Sequence, residues 1–163
     1  ESEPGKGAAF FVYLPARLVE DESASEEPKQ LAQGRGERVL FVDDEQNLAA
    51  VTEKVLTRIG YSVTRFAQAD LALQRFREDP AEFDLVITDF AMPGMSGTEL
   101  AQALLQVRPE LPVLLISGFV DQPVQEAALL IGIREVLHKP LSIEGLSGAV
   151  SRALAGSRLS HPA

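Results

Sequence analysis

"RVLFVDDEQN", Arg38 to Asn47, joins an apolar run directly to a cluster of acids. Val39-Leu40-Phe41-Val42 is an unbroken apolar run, the pattern of a strand buried on both faces in a parallel sheet. It runs straight into Asp43, Asp44 and Glu45. Neighbouring carboxylates repel one another unless something positive stands among them. "DLVITDFAMPGMSG", Asp84 to Gly97, repeats the design, with Leu85-Val86-Ile87-Thr88 leading to Asp89. If the two strands lie side by side, their acids meet at one edge of the sheet, and that arrangement asks for a metal ion.

Outward from these runs, strand and helix signals alternate. Strand 39–42 precedes a helix over 46–59, whose inward face is read as Leu48, Val51, Val55 and Ile59, with Gly60 placed to end it. A short strand over 62–66 is followed by a helix over 68–77 that stops before Pro80. Strand 85–88 leads to a helix over 98–107. "LPVLLIS" supplies strand 113–116, and Pro123 suits the first turn of a helix reaching 130. A brief strand over 135–137 and a last helix to about 155, capped by Ser142, complete the series. Five strands alternating with five helices predict an α/β domain built on a parallel sheet. Right-handed crossovers place the helices on both faces. Ligands of such open sheets bind beyond the carboxyl ends of the strands, where strand order reverses. The acids sit at such ends.

Composition narrows the chemistry. The 163 residues contain no cysteine, so disulfides, zinc–thiolate sites and thiol nucleophiles are excluded, which fits a cytoplasmic setting. The two histidines, His138 and His161, cannot make a His-rich metal site. The net charge of −9 is no footprint for nucleic acid. The apolar stretch "AAFFVYLPA" is too short to span a bilayer and contains Pro15, so no membrane segment is expected.

Asp43-Asp44, Asp89, Ser117 and Lys139-Pro140 all fall at carboxyl ends of predicted strands. Carboxylates can hold Mg²⁺, which prefers oxygen ligands. A carboxylate can also be a nucleophile that forms an aspartyl phosphate. An ammonium and a hydroxyl can hold the oxygens of a transferring phosphoryl group. The motifs "VDDE", "TDFAMPGMSG", "ISG" and "HKP", in that order and each closing a strand, resemble the response-regulator receiver domain over about 38–155. The resemblance implies a flavodoxin-like, doubly wound sheet in the order 2-1-3-4-5. It implies Asp89 as the phosphoacceptor and Asp43, Asp44, Asp89 and the backbone carbonyl of Ala91 as Mg²⁺ ligands. Lys139 would contact the phosphoryl group, Ser117 would move toward it, and the Lys139-Pro140 bond would be cis. The implied partner is a histidine kinase or histidine phosphotransfer domain within a two-component phosphorelay.

Taken singly, each of these residues could be an ordinary loop residue; their joint placement carries the reading. Asp84 and Glu45 are read as an acid before a strand and a first-turn helix acid, and Met92 and Met95 as packing residues. Two rivals remain. One is a degenerate receiver that binds partners without phosphate. The other is an aspartate-nucleophile phosphatase, which would want a second acid at Ala91. A dinucleotide-binding domain would need a glycine-rich turn after the first strand, and none follows it. Two positions depart from the receiver pattern: Val136 stands where an aromatic switch residue is common, and Phe119 stands two residues after Ser117.

The flanks have their own reading. Residues 1–19, "GKGAAFFVYLP" within them, resemble the last strand of a histidine-kinase ATP-binding domain. The expected parent is then a hybrid sensor kinase, whose ATP-binding parts these residues lack. An unpaired strand there could join a second copy into a homodimer. Residues 20–37 are acidic and read as a flexible linker. Residues 156–163 read as a tail, with no output domain expected.

Overall fold

The computed structural model describes residues 31–119 and 122–158, together with Ser2–Glu3 and Gly7–Ala8. Five strands, β1 (Arg38–Val42), β2 (Ser62–Phe66), β3 (Leu85–Asp89), β4 (Val113–Ser117) and β5 (Glu135–His138), form one sheet in the order β2-β1-β3-β4-β5. Every pairing in it is parallel. Five helices alternate with the strands: α1 (Gln46–Arg58), α2 (Ala69–Glu78), α3 (Gly97–Val107), α4 (Gln122–Ile131) and α5 (Ile143–Arg158). This is the doubly wound, flavodoxin-like architecture expected, in the expected order. Among the described residues no helix is long and apolar enough to cross a membrane.

The unbroken apolar run in β1 has the predicted cause. Leu40 and Val42 pack with α2 and α3 residues such as Phe76 and Leu100. Val39 and Phe41 pack on the other face with Leu56 of α1 and Leu146 and Val150 of α5. Alternate side chains of one strand thus feed two cores, and all four are fully buried. Ser142 accepts from the Gly145 amide at 3.0 Å at the start of α5, as expected. At α3, Ser96 and Glu99 form a reciprocal capping box.

The inward face of α1 differs from the expectation. Its buried residues are Ala49, Thr52 and Leu56, whereas Leu48 and Val51 are exposed and Val55 is half-buried. Two stripes at helical spacing share Ile59, and the one with the smaller side chains meets the sheet. Close packing of helix on sheet favours Ala and Thr at the contact, and a count of large apolar residues overlooks them. Leu48, Val51 and Val55 instead line a shallow apolar groove with Leu141, Ile143 and Leu146.

Residues 31–37, assigned to the flexible linker, are fixed in place. The Gly34 amide donates to Ile59 O at 2.7 Å and the Gly36 amide to Gly60 O at 2.9 Å. The buried Ser147 hydroxyl of α5 donates to Ala32 O at 3.0 Å. Gly60, at φ +96°, lets the chain turn out of α1, and a methyl there would sit 2.6 Å from Gly34 O. The acidic composition belongs to 20–30, which lie outside the described residues. So do most of 1–19 and hence the proposed dimer strand, save a short antiparallel ladder between Ser2–Glu3 and Gly7–Ala8. The helix α5 runs past the expected tail boundary to Arg158.

Candidate functional site

Strands β1 and β3 are hydrogen-bonded neighbours, with Val42 opposite Thr88. Asp43 and Asp89 therefore emerge side by side at the carboxyl edge. Strand β1 is also where the strand order reverses, since the chain steps to β2 on one side and returns to β3 on the other. Strand β5 brings Lys139 to the same edge, its amide donating to Ser117 O at 2.9 Å.

Lys139 is the centre of the site. Its Nζ lies 2.6 Å from Asp89 Oδ1, 3.1 Å from Glu45 Oε1 and 3.5 Å from Asp43 Oδ2. Burial alone would lower the pKa of this ammonium. Hydrogen bonds to Asp89 and Glu45, with the charge on Asp43, more than reverse that and raise it. Asp43 and Asp89 are both buried. The second oxygen of Asp89 accepts from the Ala91 amide at 2.8 Å, and Asp43 Oδ1 accepts from the Glu45 amide at 2.8 Å. Burial pushes the Asp43 carboxyl up, against the pull of the Glu45 amide and Lys139.

Of the residues expected at the site, the structure brings together Asp43, Asp89 and Lys139. Asp44 is half-buried beside them and makes no hydrogen bond or ion pair among the described residues. Ser117 is buried at the end of β4, but its hydroxyl donates to Phe119 O at 2.6 Å and accepts from the Phe119 amide at 3.2 Å. It is engaged with its own loop. Phe119 itself is 72% exposed, and Val136 is half-buried against the core. The Lys139-Pro140 bond is cis. Met92 is buried and Met95 packs against the same cluster, as expected of packing residues.

The sequence reading missed Glu45. A first-turn helix acid need only face solvent, yet the Glu45 side chain reaches across the site to Lys139. The signal was present in the third acid of "DDE". What hid it was the ordinary preference for acids at helix starts. Gly97 also gains a role. Its amide donates to Phe90 O at 3.0 Å, and a methyl built on it would collide with the carbonyl oxygen of Asp89. The start of α3 thus presses against the backbone that carries Asp89.

The donors at this edge are carboxylate and carbonyl oxygens, the chemistry a hard divalent cation prefers. Among the described residues no three acids or imidazoles stand close enough to hold a metal as they are arranged; an ammonium contacts both Asp43 and Asp89 instead. The two buried carboxylates, with Asp44 next in the chain after Asp43, face that one cation. The excess negative charge and the raised Asp43 carboxyl fit a site that accepts a further cation.

This is a doubly wound α/β domain with paired acids and an opposed lysine at its switch point, the edge where ligands of such sheets bind. The family model for the response regulator receiver domain matches residues 39–151. The chain is similar to the response regulator receiver protein CpdR of Brucella abortus, with 31% identity over 72% of this chain and 96% of that one. It is similar to the sensor kinase CckA of the same organism, with 29% identity over 94% of this chain and 17% of that one. A response regulator of Thermotoga maritima, solved in complex with Mg²⁺ and BeF, superposes with a TM-score of 0.66 and 26% identity, over 72% of this chain and 99% of that one. The chain belongs to the response-regulator receiver domain family of two-component signal transduction. It spans less than a third of the length of the plant response regulators and the sensor kinase it matches.

Proposed function

We propose that Asp89 accepts a phosphoryl group from a phosphohistidine on a histidine kinase or phosphotransfer domain, and that Lys139 steadies the product. A carboxylate oxygen of Asp89 forms the new P–O bond. The P–N bond to the donor breaks, and its electron pair leaves with the imidazole. The observation that carries this reading is the 2.6 Å pair between Asp89 Oδ1 and Lys139 Nζ, set beside buried Asp43 at the switch point. It gives one nucleophilic oxygen a cation already in reach of the incoming charge.

Asp43, Asp44, Asp89 and the carbonyl of Ala91 are the groups that would hold Mg²⁺, the ion named with the Thermotoga maritima regulator. When bound, the ion neutralises charge on the transferring phosphoryl group. Ser117 is the hydroxyl that would exchange Phe119 O for a phosphoryl oxygen. Ala91 offers no acid to protonate a leaving group, so the phosphatase reading lacks support. The parent is read as a hybrid sensor kinase in the cytoplasm: the match to the sensor kinase reaches well outside the receiver bounds.

The test is incubation of the full chain with Mg²⁺ and acetyl phosphate, followed by intact mass. Wild type should gain one phosphoryl group, and Asp89→Asn and Asp44→Ala should not. Equal labelling of Asp89→Asn, or labelling of wild type without any divalent ion, overturns the assignment.

A further inference from the structure

Glu45 does something its position does not ask of it. It is the N-cap residue of α1, where the positive end of the helix favours an acid without requiring it to reach another element. Here it makes no cap hydrogen bond. Its carboxylate goes to Lys139 Nζ at 3.1 Å instead. The backbone is held for that purpose at both sides: the Glu45 amide donates to Asp43 Oδ1 at 2.8 Å, and its carbonyl accepts from the Ala49 amide at 2.9 Å.

An ammonium has three N–H donors, and Lys139 faces three carboxylates. Asp43 and Asp89 are 1% and 4% exposed and each is held by a backbone amide, whereas the Glu45 side chain is 64% exposed. A phosphoryl group on Asp89 brings three acceptor oxygens and close to two negative charges, while the donors on Lys139 do not increase. The bond that held Asp89 passes to these oxygens, and their added charge draws the ammonium toward them; of its two other partners the exposed, flexible Glu45 is the one with water to go to.

We propose that Glu45 is a positioning residue that competes with the phosphoryl group for Lys139, and so sets how readily Asp89 takes and returns phosphate. The proposal rests on the receiver reading above. In the unphosphorylated protein Glu45 holds the ammonium over the site. After transfer its carboxylate is displaced and faces a dianion, which favours loss of the phosphate and recovery of the ion pair. Water reaches the Glu45 side of the pair, so the effect is a tuning of roughly two- to fivefold.

The experiment compares wild type, Glu45→Gln and Glu45→Ala as full chains. Acetyl phosphate is titrated in excess Mg²⁺, with the phosphorylated fraction read by intact mass. In the transfer Asp89 forms the P–O bond and acetate departs with the electron pair of the bond it loses. In parallel, Mg²⁺ alone is titrated against amide NMR shifts, and Lys139 ammonium signals are recorded without phosphate. Both variants should reach half-phosphorylation at roughly two- to fivefold less acetyl phosphate than wild type. Their Lys139 signals should shift, Mg²⁺ affinity should be unchanged, and added salt should narrow the gap. A merely structural role for Glu45 would not lower the acetyl phosphate requirement. Variants that match wild type overturn the proposal alone. Variants that bind Mg²⁺ more weakly and take less phosphate overturn it in favour of metal recruitment by Glu45. A wild type that takes no phosphate overturns the receiver chemistry as well.

Discussion

Lys139 Nζ stands 2.6 Å from Asp89 Oδ1, so the cation that would steady a phosphoryl group already rests on the residue that would carry it. The pair is part of the unphosphorylated fold as well as of the chemistry. Removing one member of a buried pair leaves the other uncompensated, at about 3–5 kcal/mol when both are fully desolvated. Lys139 is 18% exposed and Asp89 can gain water once it is gone, so about 1–2 kcal/mol is expected here. Lys139→Ala should lose that much in urea unfolding, still accept some phosphate in Mg²⁺, and fail to switch. The check is amide NMR before and after phosphorylation. Identical phosphate-induced shifts in wild type and variant would refute it.

Asp43 makes a prediction in the opposite direction. Burial raises its carboxyl above the ordinary value of 3.8. The folded protein therefore keeps this proton to higher pH than the unfolded chain does, and stability falls as pH rises through the window between 3.8 and the raised value. Asp43→Asn removes that loss, while Lys139 keeps Asp89 and Glu45 as partners. Without Mg²⁺ at neutral pH the variant should be more stable than wild type, and the advantage should vanish below pH 3.8. With Mg²⁺ at a hundredfold over its dissociation constant, wild type should gain about 2.7 kcal/mol and the variant far less. Urea unfolding with and without Mg²⁺ decides it. A wild type more stable than Asp43→Asn in metal-free buffer at neutral pH would count against the argument.

Gly97 couples the start of α3 to the backbone of Asp89. A methyl at this position has to move either the helix or the strand end. Overpacking of this kind costs about 1–3 kcal/mol. Gly97→Ala should be destabilised within that range and should also label more slowly with acetyl phosphate at temperatures where it remains folded. Full labelling rate in a destabilised variant would mean that the helix, and not Asp89, gives way.

The sheet and its acids were legible because they rest on simple signals. An apolar run without alternation, as in Val39–Val42, can only be buried on both faces, and a carboxylate after such a run has to sit at the strand's carboxyl end. The α1 face was misread because Leu48 and Val51 are larger than Ala49 and Thr52, although helix–sheet contact rewards the smaller pair. Residues 31–37 were misread because composition does not show that Gly34 and Gly36 can lie against the end of α1. Glu45 was misread because its partner, Lys139, is distant in sequence and meets it only once β5 is placed. Each miss is a contact between elements, which periodicity within one element cannot reveal.

The last prediction concerns the lifetime of the phosphate. Hydrolysis of an aspartyl phosphate needs a water held in line with the phosphorus, and orientation sets its rate. The resemblance to receivers implies that such a water is held or refused at Ala91, two residues past Asp89, and at Phe119, two past Ser117. The methyl of Ala91 offers no hydrogen bond, and its amide is already given to Asp89 at 2.8 Å. The Phe119 ring is 72% exposed and shields little, so missing polarity is what these positions contribute. One net hydrogen bond is worth about 1 kcal/mol, or roughly fivefold in rate. Ala91→Asn and Phe119→Glu should therefore each shorten the lifetime severalfold, and the wild-type phosphate should be the longest-lived of the three. A long lifetime suits reversible transfer within a relay, because the phosphate has time to meet the next histidine. The measurement is the decay of phosphorylated protein by intact mass after acetyl phosphate is removed. If wild type decays as fast as both variants, water access at these two positions does not set the rate.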